Sequence, residues 1–142
     1  MRLWHHRLIR ALPRSFLLQP HRKCAALRGR GWGKKSPLTR HIYNHTFLHL
    51  VSYHRLVVRE MVARGFKPDL RWMDPEYRGR FAEPIPEDLS TWDGVERLYP
   101  EHTLAYFHQC VALLRAKTLK GKKAIAEEER LRMERVIDIG SC

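Results

Sequence analysis

The strongest pattern in the sequence is an apolar stripe between residues 46 and 64. Its members recur at spacings of three and four: Phe47, Leu50, Val51, His54, Val57, Val58, Met61 and Val62. This period places them on one face of an α-helix, and Gly65 is a typical stop. Asn44 and Thr46 are both candidates for the N-cap of this helix.

Three further segments carry helical patterns. Residues 12–28 hold loosely spaced apolar side chains, and Pro20 among them lacks an amide donor, which predicts a kinked or two-piece helix. Residues 100–118, which begin with a proline and a glutamate, form the second well-patterned helix. Residues 122–137 continue as an exposed, charged helix.

The segment at 67–99 is rich in proline and shows no helical or strand period, so it predicts an irregular wrap over the helices with one short helical turn. Trp72 and Trp92 are its expected anchors. No strand pattern occurs elsewhere. The sequence therefore predicts an all-α fold, in which residues 1–142 form a single compact domain of about three to four helices with a proline-rich irregular wrap.

The charge is distributed unevenly along the chain. Residues 1–59 contain 13 Lys and Arg and no Asp or Glu, whereas residues 60–142 contain 14 against 15. The net charge of +12 thus resides in one half, where it attracts a polyanion by neutralising phosphates and releasing counterions. Nucleic acid is therefore the expected partner.

The cysteines and apolar runs bear on the compartment. Cys24, Cys110 and Cys142 form no CxxC pair, which argues against a disulfide framework and favours a reducing cytosol. The longest apolar runs are far short of the ~20 residues that span a bilayer, so no membrane partner is expected. Residues 1–23 are rich in arginine, as in mitochondrial presequences, but the acid-free stretch continues through a helix to residue 59, which favours a folded segment.

A cationic loop is predicted at residues 28–35. Arg28, Arg30, Lys34 and Lys35 alternate there with three glycines and Trp32. Exposed amides and cations suit a phosphate backbone, and the indole is a candidate for stacking on a base. In the alternative interpretation, Gly29 caps the preceding helix and the loop is only solvated. Trp4 fits the core at least as well as it fits a stacking role.

Histidines offer a weaker signal. His41, His45 and His49 are spaced by four residues, as in helical metal sites, but no carboxylate or cysteine is near them in sequence, and His41 precedes the helix. A polar face is the favoured interpretation, and His5-His6 is expected to be a surface pair. The sequence predicts no metal and no cofactor.

Several short motifs follow one another along the first 80 residues. They are the opening Met1–His5, the stretch Leu12–Cys24, the loop that ends at Lys35, Arg64–Phe66 and Pro75–Gly79. In their order and spacing they resemble the pyrimidine-dimer DNA glycosylase family, of the phage endonuclease V type and its bacterial relatives. The resemblance covers residues 1–80, and residues 100–142 are then additional C-terminal helices.

The resemblance implies an all-α, cofactor-free protein that acts on damaged double-stranded DNA. In that family the N-terminal α-amine attacks the sugar C1′, displaces the base, forms an imine with the opened sugar and nicks the strand by β-elimination. The pKa of an α-amine, about 7.7–8.0, leaves a usable neutral fraction at physiological pH, whereas that of lysine is near 10.4. Here the implied nucleophile is the Met1 amine, and Arg2 and Arg22 match arginines that hold phosphates.

One position departs from the family pattern. The catalytic glutamate follows the arginine that matches Arg22, and this chain has Lys23 there. Three outcomes follow: Glu60 or Glu76 replaces the lost acid, only the cleavage of abasic sites remains, or DNA binding remains without catalysis. The rival interpretation is a non-catalytic DNA- or RNA-binding protein. Either protein is expected in the cytoplasm, associated with the bacterial nucleoid.

Overall fold

The computed structural model describes residues 3–30, 32, 46–81, 92–121 and 123–140. All regular structure in these ranges is helical, which confirms the all-α prediction. None of their helices is long and apolar enough to cross a membrane. The elements in chain order are a first 3₁₀-helix (His6–Ala11), α1 (Arg14–Arg28), α2 (Phe47–Ala63), a second 3₁₀-helix (Leu70–Met73), α3 (Leu104–Leu119) and α4 (Glu127–Gly140).

Helix α2 is the central element, and it contacts α1 and both 3₁₀-helices. Its predicted apolar stripe is buried except for Val62, which is 49% exposed. Thr46 is the N-cap residue, but its side chain bonds no helix amide; its hydroxyl lies 2.9 Å from Nδ1 of His49. Gly65 follows the helix with φ of 87°, a left-handed conformation that glycine adopts without strain.

Helix α1 runs through Pro20 without interruption, so the two-piece alternative is wrong. A proline inside a helix removes one backbone hydrogen bond. The ring of Pro20 is buried with the apolar face of the helix, which offsets that loss. At the other end, the amide of the C-cap residue Gly29 donates to the carbonyls of Ala25 and Ala26, as the capping alternative predicts.

The C-terminal helices belong to the same core as the first half of the chain. Helix α4 packs on the first 3₁₀-helix and buries Met133 and Ile137, so the helix predicted to be exposed is exposed on one side only. Glu129 of α4 accepts a hydrogen bond of 2.7 Å from the amide of Arg14. Its carboxylate thus serves the first turn of α1, where no acid is present in the local sequence and the helix dipole favours one.

The remaining elements anchor the two ends of this core. Leu3 and Trp4 are buried, which confirms the core position of Trp4. Helix α3 begins four residues later than predicted, because Thr103 is the N-cap and accepts from the amide of Tyr106. The second 3₁₀-helix supplies the predicted short turn in the proline-rich wrap, of which the structure describes residues 67–81 and 92–99.

Candidate nucleic-acid interface

Helix α1 presents two adjacent cations at the surface. Its apolar side chains, among them Phe16 and Cys24, are buried against the core. Arg22 is exposed and Lys23 is half-buried, and the helix contains no acidic residue. The two positions that the resemblance matches to a phosphate-binding arginine and to the catalytic acid are therefore consecutive on α1, and both are positive here.

The N-terminal segment is held in place from Leu3 onward. Met1 and Arg2 lie outside the described residues. The hydroxyl of Tyr106 in α3 donates to the carbonyl of Leu3, and the hydroxyl of Tyr53 in α2 donates to that of Trp4 at 2.6 Å. Burial raises the pKa of Tyr53, so its phenol keeps the proton that this bond requires.

Arg28 does not lie where the sequence predicts it. Its side chain is completely buried, with Nη1 donating to the carbonyl of Trp72 at 2.7 Å and Nη2 donating to those of Asp74 and Tyr77 at 2.7 and 2.9 Å. A guanidinium without solvent exposure cannot contact a phosphate in this conformation. Arg28 instead holds residues 72–77, at the end of the second 3₁₀-helix and after it, against α1. The prediction that it binds DNA disagrees with this placement.

A second buried arginine completes this attachment. Nε of Arg78 donates to the carbonyl of Arg28 at 2.6 Å, and Nη2 donates to that of Gly29 at 3.0 Å. These bonds satisfy carbonyls at the C-terminal end of α1, where helices leave acceptors unpaired. The sequence placed Arg78 within the Pro75–Gly79 motif but gave no signal that it would be buried.

The cationic loop is described only at its start. Arg30 is exposed directly after α1. Trp32 is half-buried, and its ring meets that of Phe47 edge-on with centroids 4.9 Å apart. One edge of the indole is thus occupied by core contacts, and its stacking on a base stays a prediction. Lys34 and Lys35 lie outside the described residues, as do His41 and His45 of the proposed histidine series.

The two candidate replacement acids occupy different surroundings. Glu60 in α2 accepts from Nε of Arg64 at 3.3 Å, and Arg64 also donates to the carbonyl of Leu12 at 2.6 Å. Glu60 also lines a cavity of about 430 Å³, together with His6 and Ile9. Glu76 is exposed in the segment that Arg28 holds against α1. Glu60 is therefore part of the packing between α2 and the first 3₁₀-helix, whereas the side chain of Glu76 is exposed to solvent.

A histidine pair missed by the sequence reasoning connects α1 to α2. Nδ1 of His21 lies 2.8 Å from Nε2 of His54, and Nδ1 of His54 lies 3.1 Å from Nη1 of Arg28. His54 is buried in the apolar stripe, whereas His21 is half-buried beside Arg22. The sequence contains one signal, a histidine on the apolar face of α2. Its partner lies on another helix, and no spacing rule identifies it.

A second histidine cluster lies at the start of the chain. His5, His6 and His102 are stacked, with the rings of His5 and His6 4.5 Å apart. His5 is 2% exposed, so the expected surface pair is in fact a packed one.

The potential ligand atoms of the three histidines lie within 4.8 Å of one another. However, Nδ1 of His5 accepts from the amide of Arg7, its Nε2 faces the carbonyl of His102, and Nδ1 of His102 accepts from the amide of His6. These bonds occupy the lone pairs of His5 and His102, so the arrangement disfavours a metal.

The buried histidines predict a loss of stability in acid. Burial lowers the pKa of His5, His21 and His54, and lowers that of His6 to about 4. Between an unfolded-state pKa near 6.5 and these lower folded values, the unfolded chain binds more protons than the native one. The free energy of unfolding should therefore decrease as pH falls from about 7 to 4. Urea midpoints across this range would measure it, and His6→Gln should flatten the curve; a flat wild-type curve would contradict the prediction.

Comparison with known proteins supports the resemblance. The family model described as pyrimidine dimer DNA glycosylase matches residues 1–74. This range contains the first 3₁₀-helix, α1, α2 and the second 3₁₀-helix, and it ends at the segment that Arg28 attaches. Neither the curated proteins nor the solved structures gave a significant match. Because the match covers more than half of its residues, the chain belongs to the pyrimidine dimer DNA glycosylase family.

Proposed function

We propose that this chain is a DNA-repair protein that binds damaged duplex DNA and cleaves abasic sites through the Met1 α-amine, with base excision weakened by Lys23. Family membership over residues 1–74 carries the proposal. The basic first half of the chain supports it, because α1 presents Arg22 and Lys23 from a stretch that contains no carboxylate. Such a surface binds phosphates by charge neutralisation.

Cleavage of an abasic site requires little acid catalysis. The neutral amine nitrogen bonds to C1′ of the open aldehyde, water leaves, and an imine forms. Loss of a C2′ proton then expels the 3′ phosphate and breaks the strand. No glycosidic bond is broken in this sequence, so no positive charge needs to build up on a closed sugar ring.

Base excision is the step that Lys23 opposes. It requires the bond between C1′ and the base to break, which places positive charge on the sugar. A carboxylate at the family position stabilises that charge, whereas an ammonium repels it. Glu60 is a poor substitute because it pairs with Arg64 at the junction of α2 with the first 3₁₀-helix. Lys23 also favours the neutral form of a neighbouring amine, which assists the imine step.

Borohydride trapping tests the proposal. The untagged protein is incubated with duplex DNA that carries either an abasic site or a thymine dimer, and the adduct is located by mass spectrometry. We expect an adduct on the Met1 amine with the abasic site and little with the dimer, and none after N-terminal acetylation. Equal trapping with both substrates would show that Lys23 does not weaken base excision.

The departure at Lys23 also favours a second candidate, a non-catalytic DNA-binding protein. It predicts no adduct on either substrate, with binding that weakens steeply as salt rises. N-terminal acetylation would then leave binding nearly unchanged. In either case we propose that the protein acts on DNA in the cytoplasm, in association with the nucleoid.

A further inference from the structure

The contacts between Arg28, His54 and His21 fix where the protons of both imidazoles lie. A guanidinium has donors and no acceptor. Nη1 of Arg28 lies 3.1 Å from Nδ1 of His54, so this nitrogen must be the acceptor, and the proton of a neutral His54 is on Nε2. That N–H points at Nδ1 of His21, 2.8 Å away. Nδ1 of His21 is therefore also an acceptor, and the proton of His21 is on its own Nε2.

The chain of hydrogen bonds from Arg28 through His54 to His21 ends at the surface. Nε2 of His21 has no hydrogen-bond partner among the described residues. It is also not among the fully buried side-chain atoms that lack a partner there, so it is not enclosed by them. His21 is half-buried, and the next residue along α1 is the exposed Arg22. Arg28 is thus connected, through two neutral rings, to an outward-facing N–H group beside a surface cation.

The geometry decides what this group can bind. A group that carries its proton outward needs an acceptor as its ligand. The surrounding charge on α1 is wholly positive, which favours an anionic acceptor over a neutral one. Hydrogen bonds in a chain polarise one another, and the buried cation at the far end strengthens the outer donor.

We propose that Nε2–H of His21 donates to a phosphate oxygen of the bound DNA, and that Arg28 and His54 are positioning residues that fix this donor. The inference rests on the proposed DNA-binding function. It adds a neutral phosphate contact next to the charged one expected from Arg22. Burial lowers the pKa of both histidines, in agreement with neutral rings at physiological pH.

The first test needs no DNA. Imidazole nitrogen chemical shifts of the full-length protein at neutral pH report which nitrogen carries the proton in each histidine. We expect the Nε2–H tautomer for both His21 and His54. A proton on Nδ1 of His21 would overturn the inference, because its outer nitrogen would then be an acceptor.

The second test compares two substitutions in binding to duplex DNA that contains a stable abasic analogue. His21→Asn keeps an acceptor for His54 but loses the outer donor, so affinity should fall about tenfold. His21→Gln places an amide N–H near the position of Nε2 and should bind almost as the wild type does. A neutral donor releases no counterion, so the salt dependence should stay unchanged in both variants, whereas Arg22→Ala should reduce its slope by about one.

The outcomes separate this inference from the proposed function. Wild-type affinity in His21→Asn, together with weakened binding in Arg22→Ala, would refute the phosphate contact and leave the DNA-binding function intact. Wild-type protein that binds DNA weakly and without salt dependence would refute both.

Discussion

Replacement of Lys23 by glutamate should raise the rate of thymine-dimer base excision by about a hundredfold or more, the effect typical of one group that stabilises transition-state charge. The substitution places a carboxylate at the position that the resemblance matches to the family's catalytic acid. Cleavage of abasic sites should change much less, because that route breaks no glycosidic bond. Single-turnover assays on the two substrates measure the steps separately.

The side chain of Lys23 makes this a clean experiment. It is half-buried on α1, next to the exposed Arg22, and is not among the buried residues of that helix. Lys23→Gln is the matched control, since it removes the ammonium without adding an acid and should produce only a small rise. Equal excision by wild type and Lys23→Glu, with abasic cleavage intact, would locate the acid elsewhere, with Glu76 as the next residue to replace.

The sequence predicted those elements whose apolar period is local. Helix α2 agrees with its predicted span within one residue at each end, because the stripe, the cap position and Gly65 all lie within that segment. Helix α4 was misjudged because its burial depends on the first 3₁₀-helix, more than a hundred residues away. The carboxylate of Glu129 at the start of α1 is likewise a contact that no sequence window contains.

The candidate site divides in the same way. The order and type of residues identified the family and singled out Arg22 and Lys23. In the structure Arg22 is exposed and Lys23 is half-buried. Arg28 was mistaken for a DNA contact because an arginine beside glycines looks like a solvated cation. Its burial becomes evident only from its hydrogen bonds to the carbonyls of Trp72, Asp74 and Tyr77, which are distant in sequence. The His21 and His54 pair was missed because its members are 33 residues apart in sequence and lie on different helices.

Replacement of Arg28 by methionine should lower the free energy of unfolding by about 3–5 kcal/mol. The linear side chain of methionine fills part of the space but supplies no donors, so the carbonyls of Trp72, Asp74 and Tyr77 and Nδ1 of His54 lose their partner. Burial lowers the pKa of Arg28 to about 10, so the wild-type residue is a cation at neutral pH and its bonds are charge-assisted. Urea unfolding followed by circular dichroism measures the loss.

An exposed arginine on the same helix provides the control for this loss. Arg22→Met removes the same charge from α1 but breaks no hydrogen bond to the part of the chain that the structure describes, so its stability should remain within about 0.5 kcal/mol of wild type. Equal stability of the two variants would mean that Arg28 does not hold residues 72–77 against α1. The opposite order is expected in DNA binding measured well below the unfolding midpoint, because loss of Arg22 would remove the proposed direct phosphate contact and loss of Arg28 would act only through His54 and His21. We thus expect arginine to support the fold at position 28 and DNA binding at position 22, and the two assays separate these roles.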